Sequence, residues 1–398
     1  MRKIPYGKQT VTDDDIAAVT EVLRSPFLTT GPKIGEFEQA VAAYHKAKYA
    51  VAFSSGTAAL HGAYSALEPA PGSELLTSPI TFAATANAGV YCGMTPRFVD
   101  IDPATNCLDL DALETCLTDR TTVIAPVSFG GYPVDLRRVR EIADRHGCAV
   151  VHDAAHAIGS RRGGTFGMEY VDMAILSFHP VKHVTAAEGG MVLTNREDLR
   201  QKLRLFRVHG ITKDPARLTR HDGPWYYEMQ SLGYNYRLSD VHAALGLSQF
   251  RRLDENLLER NEIADRYSRE LGGLSFLTLP PSVGTEILAA REARQTRDLH
   301  AWHLYTLTVR DPAERPRLYR YLHERGILAQ IHYIPVPLQP YYRQRYGYRD
   351  GDFPRAEEFY AREISLPMYH NMAADDLERI ISTLKNYADQ QMRKGERQ

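Results

Sequence analysis

Cysteine is scarce in this chain, with four among 398 residues. Cys92, Cys107, Cys116 and Cys148 show neither metal-ligand spacing nor a C-x-x-C pair. No metal centre and no disulfide framework is therefore expected, and the thiols read as reduced in a cytosol. Charge of one sign is also lacking. Lys and Arg number 48 against 49 Asp and Glu, a formal charge of −1, whereas an electrostatic nucleic-acid binder carries a basic excess. No apolar run approaches the ~20 residues of a membrane span. The opening MRKIPYGKQTVTDDD has no apolar stretch behind its basic residues, so it does not read as a secretory signal. The expectation is a cytoplasmic protein without nucleic-acid or membrane partners.

What is present is ordinary for a globular protein, with 43% hydrophobic and 24% charged residues. The length suits two to three units at ~150 residues each and supports a core that needs no staple. Thr12 ahead of Asp13, Asp14 and Asp15, with Ile16, Val19 and Leu23 at helical spacing, predicts an amphipathic helix over 13–24. Gly31-Pro32 breaks the chain, and a second helix is expected over 34–46. From Tyr49 onward, short apolar runs (YAVAF, ELLTS, PRFVDI, TVIAPV, AVVHD, AILSF) alternate with helical stretches such as TFAATANAGVYC and DLRRVREIADRHG. This alternation implies crossover units and a mainly parallel sheet covered on both faces. Ligands then bind beyond the carboxyl ends of the strands, where the loops after Phe53, Val151 and Phe178 should meet. Residues 238–271 read as largely helical and contain the expected boundary between a large α/β domain (1–250, with an N-terminal arm) and a smaller C-terminal α+β domain (251–398). The smaller domain has strand candidates at WHLYTLTV and ILAQIHY and helices near 314–325 and 373–388. The polar stretch 284–300 reads as a surface loop.

Three loops carry chemistry-bearing residues. Ser54-Ser55-Gly56-Thr57 lies between a strand and a helix. Free N–H groups at a helix start hold phosphate, and Gly56 permits close approach. Taken alone, an ordinary capped turn is the commoner use of such a sequence. His152-Asp153-Ala154-Ala155-His156 puts a carboxylate at a strand end beside small residues. It is equally read as a helix cap with a satisfied histidine. Ser177-Phe178-His179-Pro180-Val181-Lys182, followed by Glu188-Gly189-Gly190, places a lysine just past a buried strand. A lysine in a partly apolar pocket favours its neutral, imine-forming state, although most lone lysines are simply solvated. Together the loops match pyridoxal phosphate, which needs a phosphate cradle, an imine-forming lysine and a carboxylate opposite the pyridine nitrogen. Asp153 and Lys182 stand at the ends of successive strands, a spacing that lets them reach opposite sides of one ring.

At these residues the sequence resembles the pyridoxal-phosphate-dependent nucleotide-sugar aminotransferases of the DegT/DnrJ family, of fold type I. The carrying segments are LTTGPKIGEFE, SSGTAALHGA, PRFVDIDP, VVHDAAHAIG, SFHPVKHVTAAEGGMVLTN and GYNYRLSDVHAALGLSQ, which span nearly the whole chain. The resemblance implies a large domain with a mainly parallel seven-stranded sheet plus a small α+β domain. It implies Lys182 as the imine-forming lysine and proton carrier, Asp153 against the ring nitrogen, His156 near the ring hydroxyl and Phe82 stacked on the ring. It implies Gly56, Thr57 and Ser177 at the phosphate, with Asn235 reaching that phosphate from the other subunit of a homodimer. Tyr6, His332 and Tyr333 fall in segments similar to substrate-contacting loops, with packing or a structural hydrogen bond as the plainer alternatives.

The stretch HGITKDPARLTRHDGPWYYEMQSLGYNYRLSD resembles the branch that aminates the 4-keto sugar of pseudaminic acid synthesis. It implies L-glutamate as donor, a UDP-4-keto-6-deoxy sugar as acceptor and pyridoxamine phosphate as the intermediate cofactor form. Bacillosamine- or perosamine-type sugars are the alternative. Some relatives carry His at the lysine position and act as dehydratases; Lys182, flanked by His179 and His183, favours transamination. A nicotinamide-dependent epimerase is suggested by Tyr44-x-x-x-Lys48 but lacks a G-x-G-x-x-G turn. A non-catalytic relative would be expected to have lost Lys182 or Asp153.

Overall fold

The computed structural model describes residues 2–283 and 297–395. The first helix, α1 (Asp13–Arg24), starts where expected, and the Asp15 carboxylate accepts the Thr12 N–H at 2.9 Å. Asp15 is also a tether, for it is fully buried and pairs with Arg252 at 2.9 Å. The second helix, α2 (Pro32–Tyr44), begins two residues before the expected start. Proline suits the first helical turn, whose N–H groups have no intrahelical partner. Here the Gly31 and Lys33 N–H groups are taken up by the Asp240 carboxylate at 2.7 and 2.9 Å.

Seven strands form the central sheet: β1 (Tyr49–Phe53), β2 (Glu74–Thr77), β3 (Thr95–Phe98), β4 (Thr121–Ala125), β5 (Ala149–Asp153), β6 (Met173–Ser177) and β7 (Gly190–Thr194). Their order is β1-β7-β6-β5-β4-β2-β3, and only β7 runs antiparallel to its neighbours. Most strand positions are buried, as a sheet covered on both faces requires. The carboxyl ends of β1, β5 and β6 therefore share one edge with the start of β7. Phe53 and Ser177 both pair with Gly190 there.

A second, antiparallel sheet joins β8 (Leu277–Thr278), β9 (Tyr305–Val309) and β10 (Glu363–Leu366) in that order. Its core includes Tyr267, Leu307, Ile327, Ile364 and Ile380, and also Ile4 from the opposite end of the chain. Ile4–Pro5 pairs in parallel with Ile327–Leu328. The strand expected over ILAQIHY is thus only two residues long. Beyond it the chain is held by a bridge from Gln330 to Ser365 and turns through the cis His332–Tyr333 bond. Helix Leu253–Leu271 links the two bodies, with Leu253 and Leu257 in the large core and Tyr267 and Leu271 in the small one. The expected loop at 284–300 falls mostly outside the described residues, but Leu299 and His300 are buried. No helix among the described residues is long and apolar enough to cross a membrane.

Candidate active site

β1 runs through Ser54 and Ser55 into α3 (Gly56–Ala66), where Ser55 is the N-cap and its Oγ accepts the Ala58 N–H at 3.1 Å. The Gly56 and Thr57 N–H groups precede the first intrahelical bonds and have no partner among the described residues. The turn is seated from behind by β7. A Cβ at Gly190 would lie 2.3 Å from the Ser55 carbonyl oxygen and 2.7 Å from the Gly56 nitrogen. From the side, a Cβ at Gly56 would stand 3.1 Å from that of Ser177. Two glycines thus let three strand ends converge around a pair of outward-facing N–H groups, an anion cradle.

Asp153 closes β5, 5% exposed. Its Oδ2 accepts the Thr85 hydroxyl at 2.6 Å, and its Oδ1 accepts the Ala155 N–H at 3.0 Å. Thr85 lies in α4 (Ala84–Tyr91), and its oxygen in turn meets the Thr81 hydroxyl at 2.8 Å. Since Thr85 gives its proton to the carboxylate, Thr81 donates to Thr85. Burial pushes the Asp153 pKa up, while Thr85, the Ala155 N–H and nearby Lys182 pull it down.

Lys182 follows β6 and is half-buried, with its amine inside the cavity. Nζ lies 3.4 Å from His303 Nε2. Burial lowers its pKa to about 7 against the attraction of Asp153, with Arg260 assisting. A large fraction of the amine is therefore neutral, and nucleophilic, near neutral pH. Histidines crowd round it. His156 and His303 have ring centroids 4.3 Å apart, and burial, then Lys182, hold both well below the usual histidine pKa. His156 Nε2 meets the Tyr333 hydroxyl at 3.3 Å.

These groups line one cavity of about 340 Å³, in the ~300–1,000 Å³ range of small-molecule sites. Tyr6, Gly56, Thr57, Phe82, Asp153, His156, Ser177, Lys182, His332 and Tyr333 all border it. Phe82 is 60% exposed and meets Tyr333 edge-on at 6.1 Å. Asn235 alone among the expected residues is elsewhere: it is exposed and paired to Val208 by a backbone bridge. The Tyr44-x-x-x-Lys48 pair takes no part, because the Tyr44 hydroxyl is tied to Asp254 at 2.6 Å.

Sequence reasoning missed Thr85, Thr81, His303 and the seating role of Gly190. Thr85 was hidden inside a helical stretch and His303 inside a strand candidate. No local pattern distinguishes them, since their partners lie 68 and 121 residues away.

The arrangement fits pyridoxal phosphate on its own geometry. An unpartnered N–H pair suits the phosphate. Asp153, buried and pushed toward neutrality, gains by meeting a cationic ring nitrogen. A neutral amine in the same cavity suits imine formation. Comparison with known proteins agrees. Residues 9–385 match the DegT/DnrJ/EryC1/StrS aminotransferase family. The chain is 38% identical to the spore coat polysaccharide biosynthesis protein SpsC of Bacillus subtilis, over 96% of both chains. Among solved structures, it is similar to PseC of Helicobacter pylori, an aminotransferase involved in the biosynthesis of pseudoaminic acid. That match has 30% identity and a TM-score of 0.87, covering 98% of this chain and all of that one. The sugar aminotransferase Spr1654 of Streptococcus pneumoniae, so described as putative, matches in two forms. Its pyridoxal phosphate form has 29% identity and a TM-score of 0.86, covering 98% and 99% of the two chains. Its pyridoxamine phosphate form has 30% and 0.88, covering 97% and 99%.

Proposed function

This chain belongs to the DegT/DnrJ/EryC1/StrS aminotransferase family and is a pyridoxal-phosphate-dependent sugar aminotransferase, and from that premise we propose its substrates. It moves the amino group of L-glutamate to the 4-keto group of UDP-2-acetamido-2,6-dideoxy-β-L-arabino-hexos-4-ulose. The product is UDP-4-amino-4,6-dideoxy-N-acetyl-β-L-altrosamine. The observation that carries aminotransfer is Lys182 and Asp153 facing one cavity beside the free N–H groups of Gly56 and Thr57. The likeness to PseC supports this sugar. The second reading is the same transfer to a bacillosamine- or perosamine-type 4-keto-6-deoxy sugar.

The residues divide the work as follows. The Gly56 and Thr57 N–H groups and the Ser177 hydroxyl would hold the phosphate, with Phe82 at the ring face, His156 at the ring hydroxyl and Asp153 at the ring nitrogen. When bound, pyridoxal phosphate supplies a cationic ring that accepts the electron pair left when a proton departs from the amino acid. Lys182, neutral above about pH 7, takes that proton and returns it, work worth typically ~10² to 10⁴-fold. Tyr6, His332 and Tyr333 line the sugar's side of the cavity. Asn235 of a second copy completes the phosphate site in a homodimer, which accounts for its exposure in one chain.

Incubation with glutamate and a panel of UDP- and dTDP-4-keto sugars, with product configuration read by NMR, tests the assignment. Turnover only of sugars of another configuration would transfer it to the second reading. Borohydride reduction followed by peptide mass spectrometry should find the cofactor attached at Lys182.

A further inference from the structure

His332 borders the cavity on one edge and is anchored on the other. Its Nδ1 lies 2.8 Å from Ser365 Oγ, and its backbone N–H donates to Glu363 Oε2 at 2.8 Å. The other Glu363 oxygen, Oε1, is in a short hydrogen bond with the same Ser365 hydroxyl. Glu363 and Ser365 are two apart on β10, so they share one face of the strand. Both are 0% exposed. A carboxyl group, a hydroxyl and an imidazole thus form a closed chain, with His332 Nε2 as the end left for the cavity.

The proton count along this chain has two solutions. The Ser365 hydroxyl has one proton to give. If Glu363 is ionised, Ser365 donates to Oε1 and must accept from His332 Nδ1–H, so Nε2 is a bare lone pair. If Glu363 is protonated, Oε1–H donates to Ser365, Ser365 donates to Nδ1, and Nε2 carries the proton. The nitrogen protonated in a neutral imidazole is set by the hydrogen bond at the other nitrogen. We propose that Glu363, acting through the Ser365 hydroxyl, decides which ring nitrogen of His332 carries the proton, and so whether His332 offers the cavity a donor or an acceptor.

The two states differ by one proton. Passing from the second to the first, the Glu363 O–H bond breaks as a new Ser365 O–H forms. The old Ser365 O–H breaks as His332 Nδ1–H forms, and the Nε2 proton leaves to an acceptor in the cavity. A buried acid thereby supplies a proton to the bound sugar without ever touching it. That use in turnover rests on the aminotransfer reading above, where the departing keto oxygen needs protons.

The surroundings permit the change. Burial raises the Glu363 pKa to about 8 against the pull of Ser365, the His332 N–H and Arg315 on helix Glu314–Glu324. The Tyr333 phenol also faces Glu363. His332 faces Tyr6, Lys182 and His156. Burial, then Lys182, lowers its own pKa to about 4, so it stays neutral while Glu363 titrates.

The test is ¹⁵N NMR of the holoenzyme labelled at histidine, with His332 assigned by loss of its signals in His332→Gln. Wild type should pass from Nε2–H to Nδ1–H as pH rises through about 8. Glu363→Gln should hold Nε2–H throughout. The backbone N–H claims the amide oxygen, so the NH₂ donates to Ser365 as a protonated acid does. Ser365→Ala should lose the step while Glu363 remains, and it answers the question even if Glu363→Gln fails to fold. In kinetics, kcat/KM for the keto sugar should fall above pH about 8 in wild type and stay flat in Glu363→Gln. A wild-type His332 that keeps one tautomer from about pH 6 to pH 10 would overturn the proposal, as would an unaltered step in either variant. The tautomer is read from the protein itself, so failure to aminate any 4-keto sugar sinks the functional reading and leaves this measurement intact.

Discussion

Thr85 donates its hydroxyl proton to Oδ2 of Asp153 at 2.6 Å, from a helix 68 residues earlier in the chain. This bond and the Ala155 N–H pull down a carboxylate pKa that burial pushes up. Replacement by valine keeps the shape and removes the donor. A hydrogen bond to a charged group is worth about 1.5–3 kcal/mol, so Thr85→Val should lower kcat/KM by about 10- to 100-fold. The Asp153 pKa rises further, and its charge is lost as pH falls through that higher value. The acid limb of the pH–rate profile should therefore move to higher pH. An unmoved limb would show that Thr85 does not tune Asp153.

Lys182 makes a prediction about the cofactor-free protein. Its amine is protonated below about pH 7 and neutral above. Only the neutral form attacks an aldehyde. The rate of covalent capture of pyridoxal phosphate, followed by absorbance, should drop about tenfold per pH unit below 7 and level off above it. A rate still climbing at pH 10 would place the amine at its ordinary pKa. Lys182→Ala should show no capture and no turnover.

Gly190 and Gly189 are neighbours with different jobs. A Cβ at Gly190 runs into the Ser55 and Gly56 backbone, whereas one at Gly189 meets side chains at 3.3 Å and beyond. Backbone cannot swing aside as a side chain does. Gly190→Ala should cost at least about 1–3 kcal/mol, as overpacking does, and weaken cofactor binding more than tenfold. Gly189→Ala should be milder in both. Thermal melts and cofactor titration of the two variants provide the comparison.

Asn235 can be tested by mixing. If each site uses Lys182 of one chain and Asn235 of the other, a mixed dimer of Lys182→Ala and Asn235→Ala chains contains one intact site. Random exchange makes half the dimers mixed, so activity should recover toward about a quarter of wild type. No gain over the unmixed variants would mean that both residues serve from the same chain.

The N-terminal capping signal, the strand–helix alternation and the residues following the strands were legible because each is a local pattern. Thr12 with Asp15, the run CAVVHD and the lysine after SFHPV report backbone conformation within a few residues. The shortened strand at ILAQIHY shows the limit of such patterns. Its composition suits a strand throughout, but only Ile327 and Leu328 find a partner, the N-terminal Ile4 and Pro5.

By itself, the sequence determined the fold class and the meeting of Lys182 and Asp153 at one cavity, since both stand where strands leave a mainly parallel sheet and the geometry of that sheet brings strand ends together. Tertiary structure alone decided that Thr85 supports Asp153, that His303 lies beside Lys182, that Gly190 seats the Ser55–Gly56 turn, and that Glu363 reaches His332 through Ser365. Those contacts join segments from 31 to 135 residues apart. Periodicity carries no record of them, because a hydrogen bond depends on where two side chains end up in space and not on their separation along the chain.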